Sequence, residues 1–286
     1  MGTRRRGNDG AVSDARPTPT ELPEAVLAAA GAWLAAHDEH APGLIEGLYV
    51  VGSAALGDHR PGSDLDVVAT TADPATDDDV ERLRRAANAA RDELAVLAPD
   101  GSGVSTVDGP IVTWSDLASP PLAVLRPWTL DGELRFDGDC FEINPITWYV
   151  LDRYGVALRG SPAAALGVSA DEAERVRWVV ANVDTYWRGV HAQVLAEIPA
   201  RPAFPAEVVE WCVLGIARMA YTFETGDVTS KSGAGRWAAS RLPGFAGAFE
   251  RAVAIRERHD PGEVVERPVA EEAAAVLGEL VSAITA

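Results

Sequence analysis

At 286 residues, 47% hydrophobic and 24% charged, the chain has the makeup of a globular protein and enough length for one large domain or two ordinary ones. A net charge of −18 argues against a nucleic-acid partner, which would need a basic stripe, and suits cations, either metal ions or polycationic small molecules. No apolar run reaches the roughly 18 residues of a membrane span. The basic start Met1-Gly2-Thr3-Arg4-Arg5-Arg6 is followed by no apolar segment, so no secretory signal is expected. Two cysteines, Cys140 and Cys212, make no disulfide framework. A cytoplasmic location is expected.

Residues 1–19 are poor in apolar side chains and read as a disordered tail. A helix is expected from Thr20 or Glu21, with Pro23 in its first turn and Val26, Leu27, Ala30, Trp33 and Leu34 on one face. His37 and His40 at its end read as a solvated terminus. Next comes the most informative stretch. Leu48 to Val51 is an apolar strand ending in Gly52-Ser53; ten residues later Asp64-Leu65-Asp66 opens a second apolar strand. Alternate strand side chains share a face, so Asp64 and Asp66 point the same way and repel each other unless a cation intervenes. Magnesium, an oxygen-seeking ion that shares itself with phosphates, fits between them. Gly52 and Ser53, where strand meets helix, offer backbone N–H groups and a hydroxyl to those phosphates. This spacing looks like the polymerase-β-type nucleotidyltransferase signature.

A helix over about Asp78 to Leu97 follows a polar turn, giving a small mixed sheet covered by helices on one side. Val104 to Val107 and Ile111 to Trp114 read as one strand, or as two pieces broken at Asp108-Gly109-Pro110. Such a core needs a third carboxylate as general base beside the paired aspartates. Asp108 is the choice, with Asp116 and Glu133 as competitors. Asp131-Gly132 and Asp137-Gly138-Asp139 mark turns, Ile146 to Leu151 a buried apolar run, and Ser161-Pro162 a domain boundary, giving domains at 20–160 and 161–286. The second half reads as an all-α bundle of roughly five helices. Ser169 with Glu172 forms a capping box for a long helix through Val190. Glu207 to Thr225 is a second helix, closed by Gly226. Three more run through Trp237, from about Gly247 to Arg258, and from Pro268 to Ile284. The fold class is therefore α+β with an all-α C-terminal domain.

Across roughly residues 40–260 the chain resembles the AadA-type aminoglycoside nucleotidyltransferases, the streptomycin/spectinomycin adenylyltransferases. The first half matches at Tyr49-Val50-Val51-Gly52-Ser53-Ala54 and Pro61-Gly62-Ser63-Asp64-Leu65-Asp66. The second half matches at Ala217-Arg218-Met219-Ala220-Tyr221, Thr225-Gly226, Lys231, Trp237-Ala238 and Arg241-Leu242-Pro243. The resemblance implies two magnesium ions on Asp64 and Asp66, Asp108 as base, and nucleotide phosphates held by Arg218 and Lys231. On the acceptor side it implies Trp187, Glu207 and Glu210. The family's base is a glutamate, one methylene longer than Asp108, and the segment at Phe136-Asp137-Gly138-Asp139 is shorter than the family's and lacks its acceptor-stacking tryptophan.

The expected activity is magnesium-dependent transfer of AMP from ATP to a hydroxyl of a streptomycin- or spectinomycin-like antibiotic, giving resistance, by a monomer with no nucleic-acid or membrane partner. The alternatives are a different acceptor (a lincosamide, a metabolite or a protein side chain) and a nucleotide-binding, antitoxin-like module without turnover.

Overall fold

The computed structural model describes residues 20–121, 124–138, 140–260 and 262–286. The tail expected over residues 1–19 and the turn residue Asp139 lie outside them. The first half is built on a six-stranded mixed sheet: β1 (Gly47–Val50), β2 (Leu65–Thr71), β3 (Val107–Thr113), β4 (Trp128–Leu130), β5 (Glu133–Arg135) and β6 (Val156–Arg159), ordered β5-β4-β3-β2-β1-β6. Among the described residues only β2 and β3 run parallel, with Asp66 opposite Asp108. The crossover between them is α3 (Asp77–Leu97), started by a reciprocal Thr76–Asp79 capping box.

α3 and α1 (Glu24–His40) pack on one face of the sheet around Val26, Trp33, Leu48, Leu65, Leu83 and Ile111. α1 begins three to four residues later than expected, and Leu27 points outward, 48% exposed. His37 is buried instead of solvated. It stacks on Trp33 at 3.5 Å, and burial pushes its pKa down to about 4. The opposite face is covered as well, contrary to the one-sided expectation. The apolar run after Asn144 is a helix, α5 (Pro145–Tyr154), whose Trp148, Val150 and Leu151 pack against Tyr49, Val68 and Val112. Asn144 caps it by accepting from the Ile146 and Thr147 N–H groups, with Pro145 in the first turn. This second core also takes in Ala163, Val168 and Val228.

The second half holds α6 (Glu172–Asn182), α7 (Arg188–Glu197), α8 (Ala206–Thr225), α9 (Lys231–Arg241), α10 (Ala246–Arg258) and α11 (Arg267–Thr285). The cap of α6 is Asp171, accepting from the Glu174 N–H at 2.7 Å, two residues beyond the expected Ser169. The single long helix expected here is divided by a π-helical turn, Val183–Trp187. The domain is not purely helical: β7 (Ala203–Pro205) pairs antiparallel with β8 (Val264–Glu266). α8 is the central helix, buried along Val209, Val213, Leu214, Ile216 and Ala217, with α9, α10 and α11 around it. Among the described residues no helix is long and apolar enough to cross a membrane, and both cysteines are buried thiols.

Candidate active site

The carboxylates gather at the ends of β2 and β3. β1 leads through Val51 into α2 (Gly52–Ala55), a single turn whose first residue has φ +58°. A Cβ on Gly52 would run into the Asp66 carboxylate, so only glycine lets the turn lie this close. The Ser53 N–H bonds to Asp66, so that one helix-start amide is already engaged. Burial, and then the neighbouring Asp64, push the Asp66 pKa up to about 7.

Asp108 lies within β3, not in a break before it. Gly109 (φ +145°) crosses so close to β2 that a Cβ would strike the Val67 carbonyl, and the strand continues through Pro110. Asp108 is buried, 3% exposed. Its carboxylate accepts from the Thr106 hydroxyl at 2.7 Å and from the Gly132 N–H at 2.9 Å, and burial raises its pKa against both bonds. The competitors have other duties. Asp116 caps the short helix α4 (Trp114–Leu117) and pairs with Arg126 at 2.8 Å. Glu133 is exposed, 3.6 Å from Arg91.

A fourth carboxylate escaped sequence reasoning. Glu142, on the segment entering α5, has its pKa pushed up to about 9 by burial and then by Asp66, Asp108 and Asp64. The signal for it was the Asn144-Pro145 helix start immediately downstream, which turns the preceding segment toward the strand ends.

Opposing these acids is Arg218, on α8. Burial lowers its pKa and Asp66 opposes that shift; its buried Nε has no hydrogen-bond partner. Lys231, first residue of α9, is 3.3 Å from Glu210, and burial brings its pKa down to about 8. Glu210 is 4% exposed and also meets Arg256 at 3.1 Å and Arg60 at 3.6 Å. Three cations already lie beside it, so its charge is matched within the chain. Arg256, unmarked in the sequence, joins the two halves. It donates to the Asp58 carboxylate and carbonyl, both at 2.9 Å, while Ser232 donates to Asp58 at 2.7 Å.

Trp187 is likewise withdrawn from the acceptor side. It is 5% exposed, set against Gly215, with its ring 5.1 Å from that of Trp211. Trp211 and the exposed Glu207 instead line a cavity of about 360 Å³ with Arg60, Glu210, His259 and Asp260. The cavity reaches the loop before Asp64, because Gly62 abuts the His259 ring.

Among the described residues no three His, Cys, Asp or Glu side chains are arranged to hold a metal by themselves. The donor set nevertheless suits magnesium. Asp64 and Asp66 are two repelling carboxylates, and a triphosphate supplies the remaining oxygens. The missing side chain at Gly52 leaves the Asp66 carboxylate room beside the turn.

Two family models match the chain: a nucleotidyltransferase domain over residues 37–101 and the C-terminal domain of aminoglycoside adenylyltransferases over 184–277. Among solved structures, the spectinomycin adenyltransferase AAD(9) from Enterococcus faecialis, crystallised with ATP and spectinomycin, shares the fold. It superposes with a TM-score of 0.62 at 17% identity, covering 89% of this chain and 98% of that one. No curated protein sequence matches significantly.

Proposed function

Because the chain belongs to the AadA-type aminoglycoside nucleotidyltransferases and is an adenylyltransferase-like enzyme, we propose that it transfers AMP from ATP to a hydroxyl of a cationic, spectinomycin- or streptomycin-like antibiotic in the cytoplasm. The observation that carries this reading is the electrostatic pairing across the cleft. Asp66, crowded by Asp64 and lying opposite Asp108 in the sheet, interacts with Arg218, whose Nε is buried without a partner. A magnesium triphosphate answers both needs at once, metal to the aspartates and phosphates to the arginine.

Asp64 and Asp66 would hold magnesium, which when bound offsets the charge on the phosphates and on the departing pyrophosphate. Ser53 would meet the phosphates with its hydroxyl. Lys231 would turn from Glu210 toward the triphosphate, and Arg218 would stabilise the charge that builds as pyrophosphate leaves. The acceptor oxygen attacks the α-phosphorus as the bond to the β-bridging oxygen breaks. Asp108 takes the hydroxyl proton, a task favoured by its raised pKa. Its Thr106 and Gly132 bonds hold the carboxylate in one orientation. The acceptor would occupy the cavity lined by Trp211 and Glu207, with the exposed Glu207 and Asp260 receiving its ammonium groups.

A magnesium-dependent pyrophosphate-release assay with ATP and an acceptor panel tests this. Release with spectinomycin or streptomycin is expected. Release only with a lincosamide or another acceptor would move the assignment within the same chemistry, and ATP binding without release would make the chain a nucleotide-binding module.

A further inference from the structure

Two cavities meet at the start of α8. The first, on the Glu207 side, is the acceptor cavity already described. The second, of about 280 Å³, lies between α7, α8 and α11, with Val190, Val194, Phe204, Cys212, Ala270 and Ala273 in its walls. Val208 and Trp211 line both, so the two chambers share a partition. The second differs in chemistry. Its polar side chains are Gln193 and Glu197, which hydrogen-bond each other at 3.2 Å and leave the remaining walls apolar.

The partition is not sealed into the core, since Trp211 is only half-buried. Val208 is 37% and Tyr186 51% exposed. Tyr186 meets the Trp211 ring edge-on at 6.4 Å, and the Trp187 ring lies 5.1 Å from that of Trp211. Tyr186 and Trp187 both come from the π-helical turn between α6 and α7, and such turns recur at functional sites because they re-aim side chains. Trp187 itself is pinned to the α8 backbone, since a Cβ on Gly215 would strike its ring.

An apolar chamber opening beside a charged one calls for a ligand with both characters. We infer that the second cavity is an annexe of the acceptor site that receives an alkyl or aryl substituent, so the preferred acceptors are amphiphilic cations rather than uniformly polar ones. The inference rests on the proposed placement of the acceptor in the first cavity. The polar body lies against Glu207, Trp211 and Asp260, and the apolar arm passes Val208 to reach Val194, Phe204 and Ala273. Each methylene taken out of water multiplies affinity about fourfold.

The test compares spectinomycin with an N-benzyl derivative of it, by calorimetric titration of the full-length protein. The proteins are wild type, Ala273→Leu, which fills the annexe, and Val194→Gln, which makes its wall polar at a half-buried position and so keeps the test alive if the first variant fails to fold. The benzyl compound is expected to bind at least about tenfold more tightly to wild type. That advantage should vanish in each folded variant, with the affinity for spectinomycin unchanged. Equal affinities in wild type, an advantage that survives in the folded variants, or binding of neither compound would overturn the inference. Pyrophosphate release with the same two compounds reads the proposed reaction separately. A binding advantage without release keeps the annexe and removes the adenylyl transfer.

Discussion

The molecule carries two groups of buried and half-buried acids, and they behave in opposite ways. Asp58 and Glu210 are matched by cations and donors: Arg256 bonds to both, Ser232 to Asp58, and Lys231 and Arg60 lie beside Glu210. Burial works against the Asp58 carboxylate, yet these partners hold its pKa below the ordinary value. Asp66, Asp108 and Glu142 are withdrawn from solvent with no cation among the described residues that matches their charges, and their pKa values are raised, first by desolvation and then by neighbouring carboxylates. One group is a joint between the halves of the chain, complete as it stands. The other is complete only when a cation arrives. The residue type is the same in both; the neighbours decide between structure and chemistry.

This contrast can be broken most sharply at Asp66. Asp66→Asn is expected to lower adenylyl transfer by roughly a thousandfold or more while leaving the melting temperature unchanged or raised, because it removes a repelling charge; assay and thermal melt together read both sides. Asp108→Asn should cost roughly 10²–10⁴-fold in kcat, the range for losing a general base, with ATP affinity by titration little changed. At the joint the signs reverse. Arg256→Ala strands Asp58 and Glu210 without their main partner and should destabilise the fold by about 3–5 kcal/mol, measured by denaturant unfolding; an effect below about 1 kcal/mol would show that the joint is not what holds the halves together.

The smallest effect is a pH dependence. A carboxyl whose folded pKa lies above its unfolded value contributes stability at low pH and loses it as pH rises through the folded pKa. For Asp66 that window runs from its ordinary value near 3.8 to about 7. Magnesium holds the ionised form, so its stabilising effect should be near zero at pH 5 and amount to about 5 °C in melting temperature at pH 8. A magnesium effect independent of pH would remove the argument that repulsion prepares the site.

Much of this was legible in the sequence. Gly52-Ser53, the two aspartates ten residues on, and Asp108 all fall where strand periodicity and spacing put them, because strand ends are local features. Asp108 was harder to assign only because Gly109-Pro110 imitates a turn; β2 passes so close that glycine is required inside the strand. The surroundings of the acceptor-side residues were less legible, for a different reason. On α8, Glu207 and Glu210 are one turn apart and look alike by helical phase, but one faces solvent and the other faces Arg256 of a helix dozens of residues away. Trp187 was placed by resemblance, and the π-helical turn shifts it onto Gly215. Arg256 acts through neighbours distant in sequence, Asp58 and Glu210, and no spacing rule could find those.

The central claim is that the unmatched carboxylates serve adenylyl transfer, and mass spectrometry of the acceptor tests it directly. After incubation with ATP, magnesium and spectinomycin, wild type is expected to yield acceptor heavier by one adenylyl group, and folded Asp66→Asn none. Unmodified acceptor from an ATP-binding wild type, or equal modification by Asp66→Asn, would contradict the account.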